Sequence, residues 1–94
     1  KIEYSFRSAS GLKNGQVLAN DEELSATGAG EVGFHIQDAS GADIQYDNGY
    51  LYETPQEAVH GKNPITLNIK PMKYGENIRT GEMKSRVIIV VNNN

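Results

Sequence analysis

The side chains with chemistry to offer are two histidines, a run of aspartates, scattered serines and three neighbouring tyrosines. A zinc site takes three or four closely spaced nitrogen or sulfur ligands. His35 and His60 stand 25 residues apart and the chain has no Cys, so they do not supply one. His35 alternates with Phe34 and Ile36 and reads as a surface or partly covered strand residue; His60 sits in a Gly-flanked loop without an obvious partner. Asp38, Ser40, Asp43 and Asp47 form an acidic, turn-rich stretch. A calcium loop of EF-hand type fails there: Gly41 comes too early, and Gly49 stands where the closing Glu belongs. Turn chemistry explains the stretch more simply. Ser8, Ser10, Ser25, Ser40 and Ser85 make no G-x-S-x-G elbow and have no His or Asp placed to activate them. With no acid–base pair or nucleophile constellation, the chain reads as a non-enzyme, and no cofactor or metal is expected. Tyr46, Tyr50 and Tyr52 leave two readings open. They form an aromatic face for a sugar, or they cap a core with the rings buried and the hydroxyls wet.

Whatever these groups do, a small scaffold positions them. Ninety-four residues make one domain, 1–94. The net charge of −3 argues against nucleic acid, which needs a basic face. Without Cys there is no disulfide framework or thiol nucleophile. No apolar run approaches the roughly 20 residues of a membrane span, and no apolar leader stands at the N-terminus, so a signal peptide is already gone or never existed. The hydrophobic fraction is a modest 37%, so a core must come from patterning rather than bulk. That patterning, with ten Gly and three Pro as punctuation, points to an all-β domain.

Ile2, Tyr4 and Phe6 alternate with polar residues and predict a half-buried strand. Ser8–Gly15 reads as a loop, Gln16–Asn20 as a short strand, and Asp21–Leu24 as at most a helical turn. In the second clear strand, Glu31–Asp38, Val32, Phe34 and Ile36 share a face. The turn Asp38-Ala39-Ser40-Gly41 and the resumed alternation of Ala42–Tyr46 predict a hairpin. After a loop-like Thr54–Pro64, Ile65, Leu67 and Ile69 alternate until Pro71, which is expected to limit pairing. Met83–Val91 predicts the last strand, with Met83, Ser85, Val87, Ile89 and Val91 on one face and Ile88 and Val90 on the other. Asn92-Asn93-Asn94 reads as a native tail or a linker. About four confident strands are few for a sandwich, which leaves an open edge and an uncovered groove.

The stretch Glu31-Val-Gly-Phe-His-Ile-Gln-Asp-Ala-Ser-Gly-Ala-Asp-Ile resembles the hairpin of bacterial fimbrial subunits of the chaperone–usher class. Ile78-Arg-Thr-Gly-Glu-Met-Lys-Ser-Arg-Val-Ile-Ile-Val-Val resembles their closing segment, in which a Gly precedes a long alternating strand; here it is Gly81. The penultimate aromatic of that family is replaced by Asn93. The likeness is best over 31–91 and looser over 1–30, and it is to the C-terminal part of such a pilin. It implies an incomplete immunoglobulin-like, pilin-type β-sandwich on a fimbria outside the bacterial cell, reached through the periplasm. It also implies a hydrophobic groove, held first by a periplasmic chaperone and then filled by a donor strand from another fimbrial subunit. Carried onto this chain, the groove runs beside Ile65, Leu67 and Ile69 and beside Met83, Val87, Ile89 and Val91, with Phe34 and Ile36 as floor. The alternative is an immunoglobulin-like adhesin module that binds a host glycan or receptor through Tyr46, Tyr50 and Tyr52.

Overall fold

The structure is a computed structural model and describes residues 2–54, 61 and 64–92. The fold is all-β: among the described residues there are seven strands in two antiparallel sheets and no helix. The strands are β1 (Glu3–Ser8), β2 (Leu12–Lys13), β3 (Val17–Leu18), β4 (Val32–Asp38), β5 (Tyr52–Glu53), β6 (Leu67–Lys73) and β7 (Val87–Asn92). One sheet has the order β5-β1-β7 and the other β2-β3-β4-β6. His60, most of the loop-like stretch 54–64 and the final Asn93-Asn94 lie outside the described residues.

The alternation of β1 and β4 sets the core. Tyr4 and Phe6 from the first sheet meet Leu18 and Ile36 from the second, with Ile44 and Tyr46 between them. Phe6 is 2% exposed and lies edge-on to Tyr4, Tyr46 and Tyr52. Rings at centroid separations of 5.4–6.5 Å are in the favoured edge-to-face range. Three aromatics, Tyr4, Phe6 and Tyr46, thus share the buried core with Leu18, Ile36 and Ile44.

Four expectations need correction. First, Ser8–Gly15 is not only loop: Leu12–Lys13 pairs with Val17–Leu18 in a small hairpin. Asn14 and Gly15 hold its turn at φ 53° and 75°, the left-handed region that Asn and Gly enter most cheaply. Second, Ala42–Tyr46 is not a strand. Ala42 O and Ile44 N still hydrogen-bond to Asp38 and Ile36 on β4. The chain then crosses to the other sheet, where Tyr46 bridges Phe6 in parallel and Asp47 N donates to Phe6 O. The reason is that Ile44 and Tyr46 face a core shared by both sheets, so following it means leaving β4.

Third, β6 runs straight through Pro71, which sits opposite Phe34. Within its sheet β6 is an outer strand, so a missing N–H is tolerated there. Fourth, β7 begins at Val87 rather than Met83. The preceding residues spend their backbone groups sideways. Glu82 N donates to Thr27 O and Ala29 N to Glu82 O, while Asp21 N donates to Lys84 O. Asn20, 5% exposed, completes the seam. Its amide nitrogen donates to Ala29 O and Glu82 O, and its oxygen accepts from Glu22 N and Lys84 N. Gly81 shows why a glycine precedes this segment: a Cβ would lie 2.4–2.7 Å from the backbone of Thr27, Gly28 and Ala29.

Candidate functional site

β6 is the outermost strand of one sheet and β7 of the other. Each pairs with one neighbour, β4 and β1 respectively. Each therefore presents a row of backbone groups with no sheet partner among the described residues. Between these two edges lies an apolar cleft of about 360 Å³. Ile69 of β6 forms one wall; Met83, Lys84, Ser85 and Val87 form the other; Leu18, Phe34 and Ile36 form the floor.

The register explains the lining. On β6, Leu67, Ile69 and Pro71 stand opposite Asp38, Ile36 and Phe34, on the inner face of the sheet. On β7, Ile89 stands opposite the buried Phe6 and Val91 opposite Tyr4, so residues 87, 89 and 91 point inward. Ile88 and Val90 point outward. The five residues Val87–Val91 are all β-branched, and from Ile88 to Val91 they are 37–50% exposed. Ile69 is 59% exposed. Residues this apolar at a free sheet edge form a surface that water solvates poorly.

Of the nine residues assigned to a groove from the sequence, Phe34, Ile36, Ile69, Met83 and Val87 line this cleft. Leu67 packs on the core. Ile65 instead borders a second cavity, of about 320 Å³, with Tyr4, Asp38, Tyr52 and Glu53. Ile89 and Val91 are on β7 but do not line the cleft. Sequence reasoning missed Leu18 in the floor: β3 is two residues long, and Val17 and Leu18 are both buried, so no alternation marks the inward one. It also missed Ser85, whose hydroxyl donates to Ala19 O and ties the wall to the rest of the fold.

The three tyrosines go to different places. Tyr46 is buried in the core and rests edge-on against Phe6. Burial pushes its hydroxyl up to about 12. Tyr52 is half-buried, stacked on Tyr4, and its hydroxyl accepts a hydrogen bond from Gln45 N. Tyr50 is exposed and touches the edge of Tyr52.

The aspartates also separate. Asp38 Oδ1 accepts from Ser40 N, Ser40 Oγ and Ala42 N, an Asx turn that closes the end of β4. The Ser40 hydroxyl above all, then the Ala42 N–H, holds its carboxyl below the usual range. Asp47 accepts from Ser8 N and from the Ser8 hydroxyl, which together hold its carboxyl low as well. Asp43 Oδ1 lies 2.9 Å from His35 Nε2. His35 is buried rather than at the surface, 8% exposed, because the crossing chain lays Asp43 beside it. The pair is close but lacks the alignment of a hydrogen bond, since Nε2 has no such partner among the described residues. No group of three or more His, Cys, Asp or Glu is placed to hold a metal among the described residues, and no helix there is long and apolar enough to cross a membrane.

The described chemistry is therefore that of surfaces: a row of backbone donors and acceptors along each of two strands, with an apolar trough between. Comparison with protein-family models, with curated proteins and with solved structures finds no match for this chain.

Proposed function

We propose that this chain is a non-enzymatic structural subunit of a bacterial surface fibre, similar to chaperone–usher pilins, with an immunoglobulin-like sandwich closed by strand donation. The cleft between β6 and β7 takes a strand from a neighbouring fimbrial subunit, after a periplasmic chaperone has covered it during assembly. The observation that carries this reading is β7. Five consecutive β-branched residues lie on a free edge, beside a trough floored by Leu18, Phe34 and Ile36. An unprotected edge of that kind recruits another strand.

The overall dimensions support it. The accessible surface is 6238 Å². A closed monomer of this mass exposes about 5,400 Å². The excess, about 800 Å², is close to one partner's share of a standard interface, about 800 Å². The radius of gyration is 15.0 Å, against roughly 13 Å for a compact domain of 100 residues. Each large side chain that a donor buried in the trough would contribute about 1.5–3 kcal/mol, less the cost of ordering the donor.

The test is the native mass and hydrodynamic size of the purified chain, alone and with Ile69→Asp. The parent is expected in a complex with a second polypeptide that supplies the strand. Ile69→Asp, at an exposed position of the trough wall, is expected to lose that association. A cooperatively unfolding monomer for the parent would overturn the reading.

A further inference from the structure

We propose that the strand received by this cleft is acidic on its outward face, with apolar side chains alternating inward. The proposal rests on the reading that the cleft takes up a strand, and it names the chemistry of that strand. The supporting observation is the distribution of charge. The chain carries twelve acidic and nine basic residues. Yet the two segments that flank the cleft, 67–73 and 83–92, contain Lys70, Lys73, Lys84 and Arg86 and not one Asp or Glu. Four of the nine cations thus lie in these two segments; the nearest anions are Glu82, which precedes the second segment, Asp21, which is held by Arg86, and Asp38, at the end of β4.

Their positions are the right ones to read a partner. Lys84 lines the cleft itself. Arg86 is two residues on, on the same outward parity of the segment, and its guanidinium has 66% of its side chain exposed while touching Asp21 at 3.2 Å. Lys70 stands opposite His35 on the outward face of β6, and Lys73 stands opposite Val32 at the strand's far end. Lys70, Lys73 and Lys84 have no acidic partner among the described residues. A strand laid along either edge sends every second side chain outward, beside Lys70 and Arg86, while Lys73 shares the inward parity of Ile69 and Pro71 and meets only the strand's end. Glu or Asp there is attracted; Lys or Arg there is repelled. A second copy of this chain offering the same edges would bring Lys against Lys, so the basic rim also discourages self-pairing. The alternating segments inside this chain are already committed, since β1 and β4 each have two neighbours.

Three synthetic strands of roughly ten residues test this. All carry Val at alternate positions; the intervening residues are Glu, Ser or Lys. Dissociation constants for the full chain are measured by fluorescence anisotropy at about 20 mM and about 500 mM salt. At low salt the Glu strand is expected to bind at least about tenfold more tightly than the Lys strand, with Ser between them. At high salt the gap should shrink to within about threefold. Lys84→Glu, at an exposed position, should narrow or reverse the low-salt order. If Ser binds but Glu and Lys are equal, or Lys is preferred, the charge inference is overturned while strand uptake stands. If none of the three strands binds, strand uptake itself fails and the inference fails with it.

Discussion

The core end of the sandwich and the cleft end are built from similar residues in opposite circumstances. At the core, Phe6 and Ile44 are 2% and 6% exposed, packed together with Tyr4 and Tyr46. On the free edges beside the cleft, Ile69 and Val91 carry comparable apolar surface at 59% and 50% exposed, because β6 and β7 have no outer neighbour among the described residues. The comparison teaches that sequence hydrophobicity decides which strands form, whereas topology decides which of them are satisfied. It also separates two kinds of mutational effect. Damage at the core should register in folding, and damage at the cleft should register in association.

The largest expected effect tests that separation. Phe6→Ala deletes a ring that touches Tyr4, Tyr46 and Tyr52. It should cost about 3–5 kcal/mol, close to the whole stability of a small domain. Ile69→Ala removes a side chain that is mostly in water already and should cost under about 1 kcal/mol in the chain alone. Urea denaturation of both variants is the measurement. Equal losses would mean that the cleft is as well packed as the core and that the contrast is wrong.

A smaller effect is expected where the two ends are joined. The segment 79–86 leads into β7, and its backbone is bonded to the 19–30 loop through Asn20, Thr27 and Ala29. Gly81→Ala would place a methyl within 2.4 Å of Thr27 O, with only backbone to push against. A shift of that kind should cost about 1–3 kcal/mol. Because the wall of the cleft follows immediately, it should also weaken strand uptake. Thermal unfolding together with peptide binding checks both. Unchanged behaviour on both counts would show that the seam gives way freely.

The sequence carries the long strands and loses two of the three short ones, and the reasons are local. β1 and β4 keep a period of two through most of their length, and β6 keeps it from Leu67 to Pro71, which marks the inward side. β2 and β5 are two residues long, too short for any period to register, while β3, equally short, falls within the expected Gln16–Asn20. The crossing at Ala42–Tyr46 was misleading for a different reason: Ile44 and Tyr46 alternate as a strand would, but they follow the core and not the sheet. Met83 and Ser85 already keep the strand-like alternation of burial that Val87 continues, even though β7 has not begun at them, because the loop beside them supplies the hydrogen bonds that a sheet would. The cleft was legible wherever it is built from long strands, in Phe34, Ile36 and Ile69, and illegible at Leu18. The burial of His35 had no signal at all, since it depends on where a residue eight positions away is carried.

The smallest effect concerns pH, and it too falls on one end only. Asp38 and Asp47 fasten the core end: Asp38 closes the turn after β4, and Asp47 holds the crossing chain to Ser8 of β1. Hydrogen bonds from Ser40 and Ser8 hold both carboxyls below the ordinary value of 3.8. A group whose pKa is lower in the folded state stabilises the fold fully above its unfolded value, and that contribution disappears as pH falls through the folded one. The melting temperature should therefore be flat near neutrality and decline as pH drops below about 4. Both groups are open to solvent, so the decline should be modest. Asp47→Asn should lower the neutral-pH melting temperature slightly and flatten part of the acid decline. The residues that line the cleft include no acid, so a neutral strand bound there should hold with little change over the same interval while the chain remains folded. Were the acid profile of Asp47→Asn to coincide with that of the parent, the contact at Ser8 would contribute nothing, and the core end would depend on its aromatic packing alone.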